Sequence, residues 1–278
     1  MQIGIFAKTF AATGAEPVLQ AVRAAGFGAA QFNFACLGLP SMPDDVPPQA
    51  VKDVTSASAS TGIAIAAISG TYNMIHPDPA ERSKGLRRLA RIIESAPAMG
   101  TTLVTLCTGT RDALDQWRAH PDNITSAAWD DLTAEMAKVL EAAERAGVDV
   151  GVEPELANVV SSAALARKLI GEMGSKRLRI VLDPANLFER ASVDEARSLV
   201  ASAVDLLGDR IAMAHAKDRR ADGTVCAAGA GMIDFTHFVR CLGRAGFDGP
   251  LVTHGLSEAE APAVAEYLKR VIEESAAS

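Results

Sequence analysis

Short apolar runs alternate with longer amphipathic stretches eight times along the 278 residues, and this repeat limits the chain to a parallel sheet built from strand-helix units. The strand candidates are 3–6, 28–33, 63–68, 102–107, 148–153, 179–183, 210–215 and 250–254. Most lack strict polar alternation, as befits strands covered on both faces. Helical stretches fall at 15–25, 47–60, 80–99, 126–146, 161–173, 194–206, 233–245 and 258–273, with Asp194 and Ser257 as candidate caps. Gly26, Gly62, Gly100 and Gly147 follow helices and precede strands, where a left-handed residue ends a helix. Eight units of roughly 35 residues each use the whole length, so the expected fold is a single (β/α)8 TIM barrel, one domain over 1–278. A short frayed tail is expected at 276–278.

Composition narrows the function classes. Hydrophobic residues make up 49% and charged residues 22%, the balance of a folded globular chain. With 34 acidic residues against 27 Lys plus Arg the net charge is −7, which argues against nucleic acid as a partner. Cys36, Cys107, Cys226 and Cys241 are scattered without C-x-x-C spacing, which points away from a thiolate zinc site or a disulfide scaffold and fits a reducing cytoplasm. No apolar run reaches about 18 residues, so neither a membrane span nor an export signal is expected.

Polar residues close the last four strand candidates: Glu153, Asp183, His215 and His254, at spacings of 30, 32 and 39 residues. Each type binds metals, and the C-terminal ends of barrel strands surround one mouth, so these four are expected to share a divalent ion. Taken singly, each has a structural reading: Asp183 before Pro184 suits a helix cap, and either histidine suits a satisfied core position. Four in register favour the shared site. His237 lies within a helical stretch and reads as structural.

Two long connections, 108–125 and 216–232, follow strand C-termini and are expected to border the site. The first carries Trp117, a candidate stacking ring for a substrate, and His120; Trp129 reads as an anchor for the next helix. The second carries Lys217, Arg219 and Arg220, candidate contacts for a sugar oxyanion, carboxylate or phosphate, and Gly229-Ala230-Gly231, which permits close backbone approach at a phosphate position. Lys8, Asn33, Tyr72 and Asn73 follow the first three strands and are expected to line the cleft.

Glu153 in GVEPE, Asp183 in VLDPANL, His215 in HAKD, the loop ending GAGMIDF and the terminal GFDGPLVTHGL resemble the sugar phosphate isomerase/epimerase family, the xylose isomerase-like TIM barrels of the AP endonuclease family 2 superfamily. That family includes ketose 3-epimerases, hydroxypyruvate isomerase-like enzymes, inosose dehydratases and, more distantly, endonuclease IV. For the epimerase branch the resemblance implies an ion held by Glu, Asp, His and a second Glu, with the two glutamates acting on opposite faces of the sugar. Glu153, Asp183 and His215 match; His254 stands where the second glutamate belongs. Asn186 occupies the place of a substrate-contacting histidine.

The chemistry so implied is proton abstraction beside a carbonyl through a metal-stabilised enediolate, with Glu153 as base. A ligating imidazole has no second oxygen to return a proton, so His254 favours one-base chemistry such as 1,2-isomerisation. Two carboxylates with two imidazoles also rank Mn, Zn, Fe and Co above Mg. The expected partner is a small sugar or sugar acid, phosphorylated or not, and the barrel exterior is compatible with a homo-oligomer. A keto-sugar dehydratase or lyase and a non-catalytic sugar-binding barrel are the alternatives. Five histidines and the negative charge count against an endonuclease IV-like nuclease.

Overall fold

The computed structural model describes residues 1–276. Eight parallel strands close on themselves: β1 (Gln2–Phe6), β2 (Ala29–Phe32), β3 (Ala64–Ser69), β4 (Leu103–Leu106), β5 (Asp149–Val152), β6 (Leu178–Leu182), β7 (Ile211–Arg219) and β9 (Pro250–Thr253). Each pairs with the next, β7 pairs with β9, and β9 returns to β1. Helices α1 (Ala15–Ala24), α2 (Pro48–Thr61), α3 (Pro79–Ser95), α4 (Ser126–Ala146), α5 (Ala163–Met173), α6 (Val193–Leu207), α7 (Phe235–Arg244) and α8 (Ala261–Ala276) supply the crossovers. The fold is a single (β/α)8 TIM barrel. None of the helices among the described residues is long and apolar enough to cross a membrane.

Local chemistry explains most boundaries. Gly62 and Gly147 take φ of 72° and 69° and end α2 and α4 in the left-handed region, as the sequence predicts. Pro97 lacks an N–H and converts the end of the expected 80–99 helix into a 3-10 turn. At α6 the cap is Ser192 rather than Asp194. Its hydroxyl accepts from the Glu195 N–H and the Glu195 carboxylate returns to the Ser192 N–H, a reciprocal pair that Asp194, inside the first turn, cannot form. Ser257 makes the same reciprocal pair with Glu260 over a 3-10 turn ahead of α8. Because α8 runs through Ala276, the expected fraying there is not seen, and residues 277–278 lie outside the described residues.

Two apolar layers result. One fills the space between strands and helices, with Phe32, Phe34, Phe235 and Phe238 among its fully buried side chains. The other, Ala67, Leu103, Val181, Met213 and Val252, plugs the barrel interior. A Cβ on Gly151 would come within 2.9 Å of Val181 Cγ2 and 3.2 Å of Leu103 Cδ1, so this layer is closely packed. The interior above it is polar.

The second long connection is not the open loop expected at 216–232. β7 continues to Arg219 and turns back through β8 (Val225–Ala227), an antiparallel pair in which Lys217 faces Ala227 and Arg219 faces Val225. The alternation of the longer strand places Met213, His215, Lys217 and Arg219 on its inner side and Asp218 on the outer. Asp218 is fully buried. Its Oδ1 accepts from the N–H of Arg219 at 2.8 Å and of Ile233 at 3.0 Å, and its Oδ2 from those of Gly229 and Gly231, both at 3.0 Å. The glycine segment therefore spends these amides on an internal carboxylate and not on a phosphate. A Cβ on Gly231 would sit 2.4 Å from Asp218 Oδ1, so glycine is needed for this approach. Replacing Asp218 by Ala strands four inward-turned N–H groups and should lower the unfolding free energy by about 3 kcal/mol, and Asp218→Asn by less, as read by urea denaturation. Unchanged stability in the Ala variant would show that the carboxylate does not hold the loop.

Candidate metal and substrate site

Three of the four candidate ligands stand one residue past their strands: Glu153 after β5, Asp183 after β6 and His254 after β9. His215 lies within β7. One donor atom from each falls within 4.8 Å of all the others. His215 Nδ1 is 3.3 Å from Glu153 Oε1 and 3.9 Å from Asp183 Oδ2, while His254 Nε2 is 3.1 Å from Asp183 Oδ2. The imidazole rings tilt at 58° with centroids 4.4 Å apart.

A ring of secondary contacts fixes these groups. Gln31 on β2 donates from Nε2 to Thr105 Oγ1 at 2.9 Å, which turns its Oε1 toward His215 Nε2, also at 2.9 Å. His215 must donate from Nε2, so in the neutral ring its Nδ1 carries a lone pair directed at the carboxylates. That buried nitrogen has no hydrogen-bond partner. Asn186 donates to Glu153 Oε1 at 2.9 Å and accepts from Lys217 Nζ at 2.8 Å. Lys217 Nζ is also 3.0 Å from Asp183 Oδ2, and the other Asp183 oxygen accepts from the Ala185 N–H.

Electrostatics follows from these contacts. Burial opposes ionisation of Asp183, but Lys217, then His254 and His215, hold its carboxyl well below the usual range. Glu153 is likewise disfavoured by burial and held low by positive charge on His215 and then by Lys217. Lys217 loses solvent, yet Asp183, Glu153 and Glu155 keep it above its ordinary value. Burial and the neighbouring His215 push His254 down, which leaves it an uncharged donor at neutral pH. Two ionised carboxylates, a neutral imidazole and an orphaned imidazole lone pair form a donor set that fits a divalent cation. In the neutral ring that lone pair faces two carboxylates, a repulsion that a cation bound between them removes.

The cluster opens into a cavity of about 500 Å³ at the C-terminal face of the barrel. Lys8, Trp117, Asn186, Lys217 and Arg219 all line it. Tyr72, His120 and Arg220 do not. The Tyr72 ring lies under Gly85 of α3 and its hydroxyl donates to buried Glu135 of α4 at 3.0 Å, so it ties the helical layer together. His120 Nδ1 accepts from the Asp122 N–H and caps the turn at 121–124. Arg220 reaches the exposed hairpin tip, where its N–H bonds the Thr224 carbonyl. Asn33 borders the cavity, whereas Asn73 clamps the 108–125 connection through the Thr110 N–H. Trp129 bonds Glu172 of α5 and His237 bonds the Arg197 carbonyl, both structural.

Sequence reasoning missed Gln31, Thr105, Cys107 and Glu155. Gln31 and Thr105 are polar residues inside otherwise apolar strands, and that interruption is the signal they leave. Cys107 Sγ lies 3.9 Å from Glu153 Oε2, and burial with that neighbour pushes its thiol up, keeping it protonated. Glu155, the second acid of GVEPE, borders the cavity with no hydrogen bond or ion pair from its carboxylate among the described residues, and burial raises its carboxyl.

A model of the xylose isomerase-like TIM barrels matches residues 19–273. The chain belongs to that family. Among solved structures it is similar to an L-ribulose 3-epimerase, at 19% identity and a TM-score of 0.76 over 99% of this chain and 95% of the other. It also resembles the 3-keto-D-glucoside 4-epimerase from E. coli, at 19% identity, TM-score 0.75 and 98% of each chain. The D-psicose 3-epimerase from Clostridium cellulolyticum H10 aligns at 15% identity and TM-score 0.73, over 98% of this chain and 99% of the other. At such identities the likeness is one of fold. No curated protein sequence matches significantly.

In this family member the Gln31 contact offers a test of the donor set that does not depend on turnover. Gln31→Leu removes the acceptor that fixes the His215 tautomer and should weaken Mn(II) or Zn(II) binding about 10- to 100-fold, with a larger loss for His215→Ala, by calorimetric titration. Equal affinity in all three proteins would place any bound metal elsewhere.

Proposed function

We propose that the chain is a sugar or keto-sugar isomerase/epimerase dependent on one divalent ion held by Glu153, Asp183, His215 and His254. The observation that carries this reading is the unpartnered His215 Nδ1, directed at two buried carboxylates beneath a polar cavity. Family membership and three structural relatives named as sugar epimerases support it. Mn, Zn, Fe and Co suit two carboxylates with two imidazoles better than Mg. When bound, such an ion supplies Lewis-acid polarisation of a substrate carbonyl.

The remaining work falls to the chain's own groups. Glu153 is held ionised, with Oε1 oriented by Asn186 and Oε2 facing only the protonated Cys107 thiol at 3.9 Å. Oε2 is therefore the oxygen free to take a proton from the hydroxyl-bearing carbon beside the carbonyl and to return it to the former carbonyl carbon, while that hydroxyl's proton passes to the former carbonyl oxygen, a 1,2-shift managed on one face by one base. Lys217 donates to Asn186 and pairs with Asp183, which keeps positive charge beside the enediolate as it forms. Trp117 offers an aromatic wall for the apolar face of a sugar ring.

Epimerisation is the second reading, since Glu155 is a cavity carboxylate with no hydrogen bond or ion pair among the described residues and the relatives named above are epimerases. It requires proton return on the opposite face.

Metal-loaded protein incubated with a panel of ketoses and keto-acids in deuterium oxide should incorporate label at one carbon next to the carbonyl. Glu153→Gln should lose at least about 1000-fold in rate, about 4 kcal/mol of barrel-site catalysis, while keeping more metal than His215→Ala. Wild-type exchange in Glu153→Gln removes Glu153 as the base; loss of water from the product assigns a dehydratase instead. Bound metal with no exchange across the panel leaves a sugar-binding barrel.

A further inference from the structure

Arg219 is 8% exposed, lines the cavity, and is held only by neutral acceptors. Its Nε donates to the Ala185 carbonyl at 2.9 Å and its Nη1 to the Gly223 carbonyl at 2.6 Å. Among the described residues no carboxylate lies within 4.0 Å of the guanidinium, and Nη2 makes no hydrogen bond there. A guanidinium has five N–H donors, so three are uncommitted. Buried charges are ordinarily paired, and this one is fixed in place before any partner arrives.

The charge balance of the cavity points the same way. Lys8, Lys217 and Arg219 meet three carboxylates, Glu153, Glu155 and Asp183. A divalent ion on the ligand cluster leaves two positive charges in excess. Glu155 feels the charge of Arg219 without forming an ion pair with it, and Asp183 is compensated by Lys217, paired with it at 3.0 Å. Four residues separate His215 from Arg219, about 13 Å of strand, so Arg219 stands toward the cavity's open end. The backbone amides of Gly229 and Gly231 are committed to Asp218, which removes the cradle a phosphoryl group would use.

From this geometry we infer that the substrate is an acid: a sugar acid or keto-acid whose carboxylate is held by Arg219 while its carbonyl end lies at the Glu153–His254 cluster. The planar fork of uncommitted N–H groups matches the two coplanar oxygens of a carboxylate. The inference rests on the isomerase/epimerase reading of the same site, but its test separates from that reading.

Binding to metal-loaded wild-type protein is measured by calorimetry for D-glucuronate and 5-keto-D-gluconate, for the neutral sugars D-fructose and D-tagatose, and for D-fructose 6-phosphate. At least one carboxylate should bind ten-fold or more tightly than every neutral sugar and than the phosphate ester. Arg219→Met should erase that preference with metal content unchanged, and Arg219→Lys should restore only part of it. Neutral sugars bound as tightly as the acids, or the phosphate ester bound tightest, overturns the inference, and the wild-type panel alone decides this if the variants fold poorly. Arg219-dependent acid binding without deuterium exchange keeps the inference and rejects the isomerase/epimerase reading. Exchange on neutral ketoses without acid preference does the reverse.

Discussion

Two carboxylates taken out of water within a few ångströms of each other are the constraint around which the upper half of this barrel is arranged. Glu153 and Asp183 repel each other and each pays for its lost hydration, so neither stays ionised without positive charge or donated hydrogen bonds nearby. Lys217 supplies the charge at 3.0 Å, Asn186 and the Ala185 N–H supply hydrogen bonds, and the imidazoles complete the ring. One element remains uncompensated, the His215 lone pair. Gln31 and Thr105 impose that orientation from the far side of the barrel, so it is an enforced feature and not an accident of side-chain placement.

The backbone delivers this cluster through strand periodicity. Successive inner positions of β7 carry an apolar plug residue, a candidate ligand, the charge-compensating lysine and the cavity-facing arginine: Met213, His215, Lys217 and Arg219. The outer residue between the last two, Asp218, binds the returning loop through four amides and so keeps β7 extended past the point where the other strands stop. A one-residue slip would exchange the two sets, burying Asp218 in the cavity and turning the cations outward. The hairpin and the site are consequences of the same register.

The repeat of strands and helices was legible because it is a local property: apolar runs, helix-ending glycines and reciprocal caps are read within a few residues. The convergence of Glu153, Asp183, His215 and His254 was legible once a barrel was assumed, because closure alone brings neighbouring strand ends together. What stayed hidden depends on contacts between distant segments. HAKDRR reads as a charged loop until β8, only three residues long, pairs with it. Gln31 lies 184 positions from the histidine it orients. Tyr72 follows a strand as a cleft residue should, but its direction is set by the empty space above Gly85 and by Glu135. Asp194 and Ser192 lie two residues apart, and only the Glu195 side chain, reaching back, selects the cap.

His254, which stands where the resemblance to the epimerase branch implies a glutamate, leaves the candidate ligand ring one negative charge short of that pattern, and Lys217 and Arg219 extend positive potential from that ring toward the mouth. In a cavity of low dielectric these two features act on the same quantity, the free energy of negative charge on the substrate. In the proposed reaction they would stabilise an enediolate relative to the neutral carbonyl form, and they would stabilise a carboxylate already present on the bound molecule. The first effect appears only as the proton leaves and therefore lowers the barrier; the second is present from the moment of binding and therefore sets which molecules enter. A neutral sugar would draw on the first effect alone, whereas an acid draws on both. On the proposed reading, the same arrangement of charge links the choice of an acid substrate with proton transfer by one base, Glu153.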